Sequence, residues 1–253
     1  MSAAIDLIHS FEFSENALVN HRIPKKSLIE HGATTVADKR QINEGIEELV
    51  WVAALKPTTI GLATYRDDIR EVLEISVLYM RLRPEGKLKR LIELVHRTIS
   101  YPIILVTLQE TTLILSLANK RWSESEICKT VIDGDIIEAL LDGSLKDDIL
   151  KRFRKALALT CQPHNSLYDL YQGWIDTVLA LHAASLKGVF AMPTSKEHAT
   201  DRREALRMCS FLKQKIAEIR AAAAKEKQLS KQVELNLEHK RLQTEYSTAC
   251  ARL

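Results

Sequence analysis

A metal-dependent nuclease of the restriction type needs an acidic residue on one strand and Glu-x-Lys on the next. The carboxylates hold a divalent ion, and the lysine positions or activates the attacking water. The nearest match here is Glu74-Ile75-Ser76, which has Ser where Lys belongs, and the apolar runs that follow carry no carboxylate before Glu110. Glu71 and Glu74 therefore read as a solvated strand face, and a nuclease of atypical layout is the third-ranked reading. The histidines (His9, His21, His31, His96, His164, His182, His198, His239) form no HxH or HxxxH pair, and Cys128, Cys161, Cys209 and Cys250 form no CxxC. Metal-ligand spacing is absent, so no metal is expected. Cys161 and His164 stand three apart, but nothing around them supplies an oriented base or an oxyanion site, so they read as residues at a helix end. His96, beside Val95, reads as a boundary residue. There is no Gly-x-Ser-x-Gly, no GxGxxG and no phosphate loop. The expectation is no catalytic residue and no cofactor.

Charge and apolar periodicity say more. The chain has 253 residues and a net charge of +3. From Lys196 to the end, 13 Lys/Arg face 8 Asp/Glu, while the rest holds 23 against 25. Two basic clusters could meet phosphates: His21, Arg22, Lys25 and Lys26 near the start, and Lys225, Lys227 and Lys231 near the end. Neither is as dense as a dedicated nucleic-acid patch, and a solvated charged face explains each as well. The tryptophans Trp51, Trp122 and Trp174 lie on or near apolar stripes and read as core. No leader, no long apolar span and isolated thiols fit a cytoplasmic protein with no membrane partner.

The elements that would position these residues follow from the pattern. The first thirty residues look irregular, with 1–19 a segment apart from the body. A helix is expected over about Ala37–Leu55, with Ile42, Ile46, Leu49, Val50 and Ala53 on one face and Pro57 ending it. Short strands are expected at Thr58–Tyr65 and Glu71–Met80, and Leu73, Ile75, Val77 and Tyr79 should share a face. Lys87–Ser100 reads as an amphipathic helix. Ile103–Leu108 and Thr112–Ala118 read as a hairpin apolar on both faces, hence central and covered. A weaker strand follows at Ile127–Ile132. Helical signal begins at Asp135, with helices over Asp147–Thr160 and Leu167–Lys187, and Met192-Pro193 marks a boundary.

Asp201–Ala249 contains neither Pro nor Gly and would extend about 75 Å as one helix. Cys209, Leu212, Ile216, Ile219 and Ala223 alternate steps of three and four, a coiled-coil-like seam. The pattern fails at Glu226 and Ser230 and resumes out of phase at Leu229, Val233 and Leu237, which predicts a change of supercoil or of partner surface. Because a lone rod cannot hide these positions, Leu212, Ile216, Ile219, Leu229, Val233 and Leu237 are the expected partner-binding residues.

Three stretches resemble a bacterial family of unknown function, the one numbered 4391. They are His21-Arg22-Ile23-Pro24-Lys25-Lys26, the run from Leu88-Lys89-Arg90-Leu91 to Ser100-Tyr101-Pro102-Ile103-Ile104, and Lys225-Glu226-Lys227-Gln228 through Val233-Glu234-Leu235-Asn236. The resemblance implies a protein encoded beside SNF2-like or restriction-type helicases and DNA methyltransferases, and it brings no catalytic residues.

The expected architecture is α+β: a small mixed or antiparallel sheet of about five strands packed with helices over 20–192, then a long helical extension over 193–253. The first functional reading is a non-catalytic interaction or assembly subunit of a bacterial, restriction-like antiphage system, docking on a helicase or methyltransferase and able to self-associate through the tail. The second is a DNA-binding adaptor using the two basic segments.

Overall fold

Ala4, Leu7 and Phe11 fall three and four residues apart and are fully buried, so the chain starts with a helix, α1 (Ser2–His9), not with an irregular segment. Two turns of apolar stripe are a weak signal alone; packing makes the helix. The computed structural model describes residues 2–32, 35–124, 129–143 and 145–253. A 3-10 turn leads into an edge strand, β1 (Leu18–Arg22), followed by α2 (Lys25–Gly32) and α3 (Val36–Gly45). Thr35 caps α3 by accepting the Asp38 N–H.

The helix expected over 37–55 stops at Gly45, and Ile46–Leu55 is a strand, β2. Apolar residues at 46, 49, 50 and 53 fit both periods, because a strand covered on both faces need not alternate. Gly45 decides the switch. Its carbonyl accepts the Arg83 N–H at 2.8 Å, and a Cβ on it would sit 2.9 Å from both Gly86 Cα and Leu91 Cδ1. Pro57 does not end a helix but opens a one-turn one, α4 (Pro57–Ile60), closed by Gly61 at φ 72°. The strand expected over Thr58–Tyr65 shrinks to β3 (Tyr65–Arg66), which pairs with β4 (Glu71–Val72) in a small ribbon.

The remaining strands are β5 (Ile75–Leu82), β6 (Ile103–Gln109), β7 (Thr112–Trp122) and β8 (Thr130–Leu140), with α5 (Leu88–Thr98) between β5 and β6. The sheet has six strands in the order β1-β2-β5-β6-β7-β8. Every pair is antiparallel except β5–β6, whose parallel pairing requires the α5 crossover. One face is packed by α2, α3 and α5, which bury Leu28, Ile42, Leu91 and Val95 against Met80 and Leu105. Arg90 ties α5 to α3 with two bonds of 2.9 Å to the Asp38 carboxylate.

The weak strand expected at Ile127–Ile132 has its start outside the described residues, and it runs on to Leu140 where helix was expected. The alternation fails because the β7–β8 register slips: Leu117 pairs with Ile137, but Asn119 pairs with Asp133. The extra β8 residues bulge outward, with Gly134 at φ 81°, a conformation that favours glycine. At the slip, Ala118 gives its N–H to the Tyr171 hydroxyl (2.9 Å), and that hydroxyl reaches the Ile103 carbonyl (2.8 Å). Tyr171 belongs to α7 (Leu167–Lys187), which follows α6 (Asp147–Ala156). Trp174 of α7 is fully buried and donates its indole N–H to the Leu157 carbonyl, the core role expected of it.

By packing, the chain divides into two units, 1–178 and 179–253. The division falls inside α7, upstream of the Met192-Pro193 break, which itself separates α7 from α8 (Lys196–Lys225). The single rod expected beyond it is two helices: α8 is followed, after residues 226–228, by α9 (Leu229–Ala251). They run antiparallel against each other, with Cys209 beside Cys250 at one end and Gln232 reaching the Ala223 carbonyl at the other.

Candidate functional site

The reversal between α8 and α9 forms without Gly or Pro. Glu226 leaves helical geometry at φ −72°, ψ 131°, while its own N–H still bonds to Ala222. Its carboxylate Oε1 then accepts the N–H groups of Lys227 and Gln228, each at 2.8 Å. One side chain thus satisfies two backbone donors of the turn, the second at the residue that caps α9. The heptad failure at Glu226 and Ser230 was the trace of this turn in the sequence. It marks a reversal of direction.

The consequence for the expected partner-binding residues is a division into two groups. Leu212 is 3% exposed and belongs to the seam core with Ala205, Cys209, Ala249 and Leu253; Ile216 and Ile219 are half-buried further along α8. The inward positions of α9 (Gln232, Leu235, His239, Leu242, Tyr246, Ala249) repeat the three–four spacing opposite them. The α8 seam therefore does hide itself, against α9, and a partner reaches Leu212, Ile216 and Ile219 only if the hairpin opens. Leu229, Val233 and Leu237 face the other way. They are 74%, 50% and 65% exposed and, four residues apart, form one outward apolar stripe beginning at the turn. Lys225, Lys227 and Lys231 are exposed around the same tip.

The other basic cluster is largely committed within the sheet unit. The Lys25 ammonium donates to the Asn43 carbonyl at 2.9 Å, and Arg83 donates to Asn43 and Glu44 carbonyls at 3.3 and 2.8 Å. Both cations thus finish the carboxyl end of α3, where helix carbonyls lack partners. Burial, then the charges of Arg83 and Arg22, lower the Lys25 pKa. Lys26 pairs with Glu30 at 3.6 Å. Arg22 and Lys25 line a shallow cavity of about 370 Å³, but Glu47 and Glu48 form its opposite wall, so the charge is mixed.

The carboxylates considered for metal chemistry are also engaged. Glu74 is buried, not solvated: it accepts the Ser76 hydroxyl at 2.9 Å and pairs with Lys56 at 3.0 Å. Leu73 takes the exposed place, because the chain bends between β4 and β5 and breaks the alternation. Glu71 pairs with Arg66 at 3.3 Å. Among the described residues no group of three or more His, Cys, Asp or Glu side chains is placed to hold a metal ion. Cys161 is exposed at the end of a 3-10 turn. The loop after it lies tight on α7, where a Cβ on Gly173 would meet Pro163 Cδ at 2.5 Å.

One buried polar group was missed from the sequence. His96 is completely buried, and its Nε2 lies 3.0 Å from the Ser116 hydroxyl on β7. Lys120, also buried, donates its ammonium to the His96 carbonyl. Burial and then the Lys120 charge push the His96 pKa down to about 3, and burial pushes Lys120 down to about 8. A serine beside a histidine suggests a nucleophile and its base, but Ser116 is fully buried and His96 Nδ1 has no orienting partner among the described residues. The group fastens α5 to the sheet. No local signal marked it, since Lys120 stands in the polar stretch Asn119-Lys120-Arg121 after the apolar run ends at Ala118.

The family described as a domain of unknown function (DUF4391) matches residues 11–245, and the chain belongs to that family. The three stretches that carried the resemblance all fall inside the match. No curated protein and no solved structure matches the chain. Among the described residues, no helix is long and apolar enough to cross a membrane.

Proposed function

We propose that this member of the DUF4391 family is a non-catalytic interaction subunit whose hairpin tip docks into an apolar groove on a DNA-processing partner. The partner class is a helicase or DNA methyltransferase of a bacterial antiphage system, as the family resemblance implies. The observation that carries the docking reading is the outward stripe of Leu229, Val233 and Leu237 on a helix whose other apolar stripe turns half-buried toward α8. Helix-in-groove recognition uses such residues at four-residue spacing, with flanking charges setting orientation. The engagement of Glu71, Glu74 and the buried Ser116–His96 pair supports a body that scaffolds. The test is size exclusion with light scattering of the full chain, alone and with the neighbouring helicase or methyltransferase. Co-elution that is lost in the L229S/V233S/L237S variant supports the reading; a monomer that never co-elutes overturns it.

A DNA contact at the same tip is the second reading, favoured by the exposure of Lys225, Lys227 and Lys231. It predicts retention on DNA that falls steeply with salt. Unchanged retention in a K225E/K227E/K231E variant removes it.

A further inference from the structure

We propose that Cys209 and Cys250 are the two halves of a reversible disulfide that ties the open end of the α8–α9 hairpin, using a small disulfide such as oxidised glutathione as oxidant. The two sulfurs lie 3.5 Å apart on facing helices, and both thiols are free. A disulfide requires roughly 2 Å between them, which a small side-chain rotation supplies where the backbones are already close. The neighbouring contact positions, Ala205 and Ala249, are small and buried, which leaves room for the two helices to approach at this level.

The surroundings set an order of reaction. Cys209 is buried in the seam, and burial together with the adjacent Cys250 sulfur raises its pKa to about 11. It is a poor first nucleophile. Cys250 is only half-buried and is reached first. Its thiolate attacks one sulfur of the oxidant, forming the Cys250–glutathione bond and releasing one glutathione thiolate. Cys209 then attacks Cys250 Sγ, forming the protein disulfide and releasing the second glutathione. The two thiol protons end on the two glutathione molecules, so the protein pair is oxidised as one glutathione disulfide is reduced. Because Cys209 is buried in the seam, the second step is the slower one, on the order of seconds to hours. Cys161 lies in the sheet unit's 3-10 turn, outside this pairing.

The bond would fix the end of the hairpin opposite the tip. It does not depend on the docking reading, since the tip presents the same stripe in either redox state. The experiment is titration of full-length protein with oxidised glutathione, followed by intact mass, non-reducing peptide mapping and amide exchange. The expected result, beside any glutathione adduct on the exposed Cys161, is loss of two hydrogens from the α8–α9 pair, a linked peptide pair containing Cys209 and Cys250, reversal by dithiothreitol, and exchange in α8 and α9 slowed by about tenfold or more. C209S should stop at a glutathione adduct on Cys250, and C250S should leave Cys209 unmodified. Mapping of the wild type needs no variant to fold. A link through Cys128 or Cys161, a link between two chains, a wild-type protein that stalls at the Cys250 adduct, or unchanged exchange would each overturn the proposal.

Discussion

The sheet unit and the helical unit solve the same problem with different margins. Strands β5, β6 and β7 are buried nearly throughout, so each side chain there touches neighbours from several elements. The hairpin has one seam, and its fully covered members are few and mostly small: Ala205, Cys209, Leu212 and Ala249. A body with this much cover can bury a lysine and a histidine and still hold. A two-helix seam depends on local devices, such as the carboxylate of Glu226. The body thus holds a covered sheet with His96 and Lys120 buried against it, while the tip carries one continuous exposed apolar stripe.

The widest contrast should appear on deleting core volume. Trp174→Ala removes a fully buried ring and its bond to Leu157, and should cost about 3–5 kcal/mol, read as a lower urea midpoint for the sheet signal. Acid should act on the same unit through its buried histidine. His96 stays neutral in the fold, with a pKa near 3, but titrates at its ordinary value of 6.5 when unfolded. Its contribution is fully present above pH 6.5 and is lost as pH falls toward 3, by about 3 kcal/mol at pH 4. Denaturant titrations at pH 7 and pH 4 check this, and Lys120→Met should weaken the dependence, since the lysine charge is part of its cause.

In the hairpin, Leu212→Ala should cost about 2 kcal/mol and speed amide exchange in α8 and α9 while leaving the sheet strands protected. Uniform acceleration across both units would break the comparison. Glu226→Ala should cost about 1 kcal/mol, confined to the turn and the first turn of α9. Leu229→Ser, Val233→Ser and Leu237→Ser should each change stability by no more than about 0.5 kcal/mol, because they remove nothing packed. A larger loss at any of the three would show that the stripe is already covered.

How far the sequence could be read tracks the number of plausible partners each pattern had. The α5 stripe was legible because Leu88, Leu91, Ile92 and Val95 keep one helical face, and the β6–β7 hairpin because two short apolar runs flank Gln109-Glu110. So were α6, α7 and the α+β class, though β1 and β2 both joined the sheet and the strand expected over Thr58–Tyr65 left it, so about five strands became six. Ile46–Leu55 was not legible: its apolar residues satisfy a helix and a doubly covered strand alike, and Gly45 makes the choice through a contact with Gly86, far along the chain. The second half of β8 hid behind the Gly134 bulge. The seam pattern named six apolar residues, but their split into covered and uncovered sets required knowing that Glu226 turns the chain. The commitment of Lys25 to the end of α3, and of Glu74 to Lys56, depends on neighbours no local pattern names.

The turn at Glu226 is built from residues that belong to neither arm's seam. Seven residues inserted at matching places in α8 and α9 would therefore carry the tip about 10 Å further out and leave its chemistry unaltered. Arm length and tip chemistry are thus separate variables in this hairpin.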